Sequence, residues 1–170
     1  KRNPSGNAVT LLLTNTLKQD LEHGDSAAVQ SSALGCLAAL PNQEMYCELA
    51  QAVIDLCSAK AHSRHVSKRA AVCLSVMVQR VPEIGEMLPE GFLESLLRQS
   101  DDVHQLAACY TVSSLPVGDG PLADPDRHRL ANMLVRQLDS NHTATLTISR
   151  LQAIRNLNCN EPEIIDMLPL

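Results

Sequence analysis

Aromatic side chains are scarce in this sequence. Its 170 residues include no tryptophan, and the aromatic residues are limited to Tyr46, Phe92 and Tyr110. A core must therefore be built from Leu, Val, Ile, Ala, Met and Cys, which suits close helix packing. Stacking on single-stranded nucleic acid needs aromatic rings, and phosphate binding needs a basic surface, whereas the net charge here is −5. The composition therefore argues against a nucleic-acid partner.

Long apolar runs are also missing. The longest, from Ala70 to Val78, is interrupted by Ser75, and a helix that crosses a bilayer needs about 18 or more apolar residues. We therefore expect a soluble chain. The sequence has no starting Met and no signal peptide, and its last residues, EPEIIDMLPL, resemble the opening of another helix. We expect a segment of a longer protein.

No two of the six cysteines form a closely spaced Cys-x-x-Cys pair. Five of them fall within helical apolar patterns, namely Cys36, Cys47, Cys57, Cys73 and Cys109. This placement predicts buried, reduced thiols and a reducing compartment.

The best candidate for a metal site is the set Cys47, Cys57, His62 and His65. The two cysteines are ten residues apart on one helix, whereas structural zinc sites bring each ligand pair within two to four residues. A cysteine hydrolase would need an exposed, activated thiol beside a base. We therefore expect no metal, no cofactor and no enzymatic activity, with a cysteine-dependent enzyme kept as an alternative.

A helical repeat is the strongest positive signal. In HVSKRAAVCLSVMVQRV, residues 65–81, one helical face carries Val66, Ala70, Cys73, Leu74 and Met77. Steps of 37 residues place Val29, Ala33, Cys36, Leu37 and Leu40 before it, and Val103, Ala107, Tyr110, Thr111 and Ser114 after it. A register shared by three helices indicates a repeat, in which Val29, Val66 and Val103 point inward. Small residues lie beside each anchor at Ala33, Ala70 and Ala107, where a neighbouring helix can approach closely.

These patterns predict an all-α fold, a right-handed α-solenoid of HEAT/armadillo-like helical hairpins. One helical-repeat segment over residues 1–170 would contain four helix pairs, at 8–40, 43–81, 83–115 and 126–157, with a further helix beginning at Glu161 and Pro162. Predicted N-caps are Asp25 or Ser26, Asn42, and Asp101 or Asp102. The stretch Pro116–Pro125 is predicted to be a long loop because of its two glycines and three prolines.

One charge feature stands out. Five basic residues and no acid lie between Leu56 and Val81, with His62 and His65 nearby. The five are Lys60, Arg64, Lys68, Arg69 and Arg80. The functional hypothesis is a contact with an acidic partner surface or an anionic lipid headgroup. The alternative is a solvated helix face that makes ordinary charge pairs with the acidic stretch Glu83–Asp102.

Two segments resemble a known family. The first, Leu17–Val53, contains Lys-x-Asp-Leu at 18–21, a small-residue helix centre at 33–37, and Glu44-Met45 at the start of the next helix. The second, Ser67–Ile84, contains paired basic residues, an Ala-Ala-x-Cys core and a terminal Arg-x-x-Pro-Glu. Over Leu11–Leu115 the chain resembles the trunk of an adaptin, the large subunit of a clathrin-type adaptor complex. The Glu-Met start favours a gamma or alpha type.

The resemblance implies a scaffold that binds a second large, a medium and a small subunit in cytoplasmic coats on Golgi, endosomal or plasma membranes. It also implies roles in vesicle formation and cargo sorting. Family contacts with a small GTPase and with the anionic membrane surface concentrate in the first trunk helices, so we expect them outside this segment. The linker Ala59–Ser63 and the loop Pro116–Pro125 depart from the family pattern. An importin-like receptor or signalling scaffold is the alternative, although its tryptophan ladders would require Trp.

Overall fold

The structure is a computed structural model that describes residues 4–58, 61–116, 122, 124–138 and 143–157, with side chains from residue 8 onward and none for residue 124. Within these ranges the chain forms helices and no strand, so the predicted all-α fold class is confirmed. In the same ranges, no helix has both the length and the apolar character needed to cross a membrane. The chain divides into two compact units, Lys1–Ile84 and Gly85–Leu170, each described separately.

The first unit contains four helices: α1 (Pro4–His23), α2 (Ala27–Ala39), α3 (Gln43–Leu56) and α4 (Arg64–Arg80). Side-chain caps define three of the starts. The Ser26 hydroxyl accepts a hydrogen bond from the Val29 amide at 3.3 Å, the Asn42 side chain accepts one from Met45, and the Ser63 hydroxyl accepts one from Val66. The predicted cap at Asn42 is confirmed, and Ser26 rather than Asp25 caps α2.

The four helices pack as two stacked hairpins. Helix α1 contacts α2 and α3, and α4 contacts the same two helices. The first helices of the two hairpins, α1 and α3, therefore pack together, and so do the second helices, α2 and α4. The alanines predicted to allow close approach, Ala33 on α2 and Ala70 on α4, are both buried. The fully enclosed leucine, valine and methionine side chains between the helices include Leu21, Leu34, Leu37, Leu49, Val53, Leu74 and Met77. This arrangement is the one expected of a helical repeat.

The predicted inward position of Val29 is wrong. Val66 is fully buried, but Val29 is 38% exposed and Val103, in the second unit, is half-buried. Helix α2 instead packs through Gln30, Ala33, Leu34 and Leu37. Each helical residue turns the side-chain direction by about 100°, so the buried face is rotated by one residue from the predicted register.

A buried glutamine explains this rotation. Gln30 is 2% exposed, and its Nε2 donates to the Leu21 carbonyl at 3.1 Å. Its Oε1 accepts from the His62 amide at 3.4 Å, and the His62 ring donates from Nε2 to the Gly24 carbonyl at 2.8 Å. Because both ends of the amide are satisfied, a polar side chain can occupy a core position. The end of α1, the start of α2 and the segment before α4 are joined at this point.

The turn between α1 and α2 requires glycine. A Cβ atom at Gly24 would lie 2.3 Å from the Asp20 carbonyl oxygen, which is closer than any side chain can approach. The first helix therefore ends just before Gly24 for a steric reason.

The boundary between the units falls within a 3₁₀ helix at Pro82–Met87. The second unit contains α5 (Phe92–Leu97), α6 (Asp102–Ser114), α7 (Asp124–Arg136) and α8 (Ala144–Leu157). Helix α5 contacts α6 and α7, and α8 contacts α6 and α7, which repeats the stacking of the first unit. Asp101 caps α6, as predicted. Helix α7 begins two residues before the predicted start, because Pro125 fits the first turn of a helix. The central part of the predicted loop and the helix expected at Glu161 lie outside the described residues.

A second buried glutamine joins the helices of this unit. Gln105 on α6 is 7% exposed, and its Nε2 donates to the Gln99 carbonyl at 2.7 Å. Its Oε1 accepts from Nη2 of Arg150 on α8 at 2.5 Å. Arg150 is fully buried and also donates to the Gln137 carbonyl at 2.6 Å. Desolvation lowers the pKa of this guanidinium from its ordinary value. Gln105 therefore acts as Gln30 does, linking the preceding helix end to the next hairpin.

The buried face of α4 can be tested against the exposed face of α2. We expect Val66→Asp to lower the free energy of unfolding by at least about 3 kcal/mol, because it places an unpaired carboxylate in an apolar interior. Urea denaturation followed by circular dichroism measures this change. The matched control is Val29→Asp, expected to lie within about 0.5 kcal/mol of the parent because that position is exposed and near a helix N-terminus. Equal losses in both variants would contradict the observed rotation of α2.

Candidate interaction surface

The basic residues of α4 lie at its two ends. Arg64 and Arg69 are exposed, Lys68 is half-buried, and the three fall within six residues at the start of the helix. Arg80 is the last residue of α4, so at 1.5 Å per residue it lies about 24 Å along the axis from Arg64. Lys60 lies outside the described residues. We call Arg64, Lys68 and Arg69 the α4 basic patch.

Arg80 caps the C-terminus of α2. Its Nη1 donates to the carbonyls of Ala38 at 3.3 Å and Leu40 at 3.2 Å, at the C-terminus of α2. The same nitrogen bonds the Tyr46 hydroxyl, which in turn donates to the Leu40 carbonyl. The guanidinium carbon also lies 5.7 Å from the centroid of the Tyr46 ring. A cation here satisfies carbonyls that lack partners in the helix and complements the negative end of the helix dipole.

Arg69 reaches over α2. A Cβ atom added at Gly35 would lie 3.2 Å from Nη2 of Arg69, so the arginine lies against the smallest residue of that helix. Glycine at position 35 leaves room for the guanidinium beside the α2 backbone. Arg69 thus lies between the two second helices, α2 and α4, while all three residues of the α4 basic patch remain at least partly accessible.

The zinc candidates are not brought together. Cys47 is exposed on α3, Cys57 is buried at the end of the same helix, and the His62 ring is bonded to the Gly24 carbonyl. Within the described ranges, no three His, Cys, Asp or Glu side chains are grouped as metal ligands. Packing explains Cys57 and the joint at Gln30 explains His62, while Cys47 and His65 are exposed.

The cysteine prediction is wrong for two of the five residues. Cys57, Cys73 and Cys109 are buried, but Cys36 and Cys47 are exposed. Cys36 lies seven residues after Val29 and therefore on the same outer side of α2, so the rotation of this helix exposes both. Its supposed equivalent, Cys73, is enclosed because α4 packs against both α2 and α3.

Burial makes the enclosed thiols unreactive. Desolvation raises the pKa of Cys73 and of Cys109 to about 12, and it raises the pKa of Cys57 as well, with a smaller contribution from the nearby Cys73. A thiol with so high a pKa supplies almost no thiolate at neutral pH. The buried cysteines therefore lack the property that a catalytic nucleophile needs.

The second unit contains a pocket that the sequence patterns did not indicate. Its cavity volume is about 280 Å³, and its floor is formed by the buried side chains Phe92, Leu93 and Leu130. Leu88 lies on its wall, and Glu90, Glu94 and Asp126 contribute carboxylates. The residues come from the segment before α5, from α5, from α7 and from Leu122 in the predicted loop before α7. No helical periodicity links these segments, which is why sequence reasoning missed the site.

Thiol labelling tests the cysteine assignments. At pH 8 we expect Cys36 and Cys47 to react with a maleimide at rates near that of a free thiol. Cys57, Cys73 and Cys109 should react at least about a hundredfold more slowly, because burial raises their pKa and blocks access. Peptide mapping by mass spectrometry gives the individual rates, and labelling in urea provides the fully accessible control. A buried cysteine that reacted fastest in the native protein would instead favour a cysteine-dependent enzyme.

The chain is similar to members of a known protein family. The sequence matches the family described as the adaptin N terminal region over residues 3–165. It is 26% identical over 172 aligned residues to the AP-1 complex subunit gamma-1 of Schizosaccharomyces pombe (strain 972 / ATCC 24843), with 94% of this chain covered. The chain spans about one fifth (20%) of the length of that relative. No solved structure matches the chain significantly. The family match covers nearly all of the sequence, and the chain therefore belongs to the adaptin N-terminal region family.

Proposed function

We propose that this chain is a structural part of the large subunit of a vesicle-coat adaptor complex. The observation that carries the proposal is the adaptin match over residues 3–165, in a chain whose described residues form stacked helical hairpins. The relative from fission yeast is itself named as a subunit of an AP-1 complex. In this role the chain binds a second large, a medium and a small subunit.

The physical basis is the amount of surface that stacked hairpins leave free. Each hairpin buries one side against its neighbour, and the remaining faces form an extended surface for other chains. Apolar side chains are exposed on α1 at Val9, Leu11 and Leu12, and on α8 at Ile148. The buried cysteines carry raised pKa values, which supports a scaffold over a cysteine-dependent enzyme. A cytoplasmic location on Golgi, endosomal or plasma-membrane coats follows from this role.

Affinity purification tests the proposed assembly. We expect the tagged protein, with any further part of its polypeptide, to recover a second large, a medium and a small chain in about equal molar amounts. Quantitative mass spectrometry measures the ratios, and the tag alone is the control. Recovery of a varied cargo set without medium and small adaptor chains would overturn the proposal in favour of an import-type receptor.

We also propose that the α4 basic patch contacts an anionic surface. Supporting this proposal, three cations lie within six residues of one helix, and no acid occurs between Leu56 and Val81. Arg80 is left out because it closes the end of α2. A phospholipid headgroup and an acidic subunit surface share the chemistry that such a patch would recognise, so the experiment must separate the two sources.

Charge reversal separates these sources. We expect Lys68→Glu with Arg69→Glu to weaken the patch contact at low salt at least about tenfold, since each surface cation contributes about 1 kcal/mol to anionic binding. The matched control, Arg136→Glu with Arg155→Glu, makes the same change of net charge at exposed positions. Loss of sedimentation with phosphatidylserine vesicles identifies a lipid surface, and loss of subunit recovery identifies an acidic partner. Unchanged binding in both assays would overturn the proposal that the α4 basic patch contacts an anionic surface.

A further inference from the structure

The pocket beside α5 has an apolar floor and a carboxylate rim. Phe92, Leu93 and Leu130 form the floor and are each at least 91% buried, with exposed fractions of 9%, 4% and 2%. The described lining includes the carboxylates of Glu90, Glu94 and Asp126 and no basic side chain. We call this site the acidic-rimmed pocket.

We propose that the acidic-rimmed pocket binds a linear segment of a partner protein in which one large apolar side chain lies next to Lys or Arg. This inference does not rest on the adaptor role, because its basis is the lining of the pocket alone. The apolar side chain would occupy the floor, and its basic neighbours would lie at the rim.

The size of the pocket favours a side chain over other occupants. A volume of about 280 Å³ lies just below the range of about 300 to 1,000 Å³ that is typical of small-molecule sites. A single leucine or phenylalanine anchor from a flexible segment matches this space, as in other grooves that recognise short peptides.

Backbone geometry keeps the entrance open. Gly91, at the start of α5, has φ 71°, a left-handed conformation that favours glycine. A Cβ atom at this position would meet nothing within 4 Å, so the space beside it is empty. A peptide backbone can therefore approach α5 closely at Gly91.

Ion pairs order the rim without filling the pocket. Arg129 bonds Asp126, and its Nε lies 3.5 Å from Oε1 of Glu94, while Arg98 lies 3.2 Å from the other oxygen of Glu94. These carboxylates raise the pKa of Arg129. Glu90 lies 3.9 Å from Arg129, and its side chain is 84% exposed, so its pairing is weak and its carboxylate is accessible from solvent.

The sign of this charge determines the partner. Arg129 and Arg98 already neutralise Asp126 and Glu94, so the rim charge open to a ligand is that of Glu90. An acidic segment would place its carboxylates beside Glu90, where like charges repel and weaken binding. A Lys or Arg beside the apolar anchor would find opposite charge at the rim. The cation need not be desolvated, because Glu90 is open to solvent.

Nuclear magnetic resonance with matched peptides tests the proposal. The ¹⁵N-labelled 170-residue chain is titrated at low salt with a synthetic peptide, Gly-Ser-Lys-Leu-Arg-Ser-Gly. We expect amide shifts confined to residues 85–94 and 126–130, with a dissociation constant of about 1 mM or below. Replacing the leucine of the peptide by serine should weaken binding at least about tenfold, because the anchor is lost. Replacing its Lys and Arg by Glu should abolish the shifts.

Protein variants with the same charge change separate the rim from net charge. The variants are compared at physiological salt, where long-range effects of net charge are screened. Glu90→Lys should weaken binding of the basic peptide at least about fivefold. Glu86→Lys alters an exposed residue outside the lining and should change that affinity by no more than about twofold. Equal effects of the two variants, equal binding of the acidic peptide, or shifts elsewhere would overturn the proposal. Shifts that change on dilution of the chain without peptide would also overturn it, since they would show a second copy in the pocket.

Discussion

The structure depends on the stacking of one helical hairpin on the next. A single hairpin of this composition cannot enclose the side chains that both of its helices present, because a small core leaves too much apolar surface in water. In the first unit, α4 meets this need by packing against both α2 and α3, with Val66, Ala70 and Leu74 wholly enclosed. The same pairing of first helix with first helix and second with second occurs in the second unit. In each unit, these contacts form the apolar core.

Buried polar joints add specificity to this stacking. Apolar faces alone would allow neighbouring helices to rotate against each other at little cost. Gln30 and Gln105 each bond a carbonyl at the end of the preceding helix and accept a hydrogen bond from the hairpin that follows. Leaving such a group without partners in an apolar interior is costly, so each joint favours one rotation of its helix. Arg80 also stabilises one arrangement, because its guanidinium and the Tyr46 hydroxyl bond carbonyls at the C-terminus of α2.

The basic residues of α4 lie in two different settings. Arg80 is committed to the fold, whereas the α4 basic patch lies at the other end of the helix and is partly accessible. The acidic-rimmed pocket in the second unit has the opposite sign, so the two units present chemically different surfaces. We propose that each surface binds a partner of complementary charge.

Much of this protein could be read from residue order. Helix boundaries followed from local chemistry: Asn42 and Asp101 cap helices as predicted, and Gly24 ends one because no side chain fits there. The buried alanines at positions 33, 70 and 107 were found by their regular spacing. The adaptin resemblance also rested on short motifs, and the family match extends it over nearly the whole chain. These features depend on neighbours in sequence, which a pattern can represent.

The rotation of α2 was decided only by tertiary structure. Val29 and Cys36 are apolar and fit the periodic pattern, yet Gln30 occupies the core because carbonyl and amide partners from other elements satisfy it. The role of Arg80 depends on Ala38 and Leu40, which are about 40 residues away in sequence. The acidic-rimmed pocket likewise joins α5 to α7. Residue order determines which side chains can form a helix and bury a face, but the partners that make a buried polar group favourable exist only once distant segments meet.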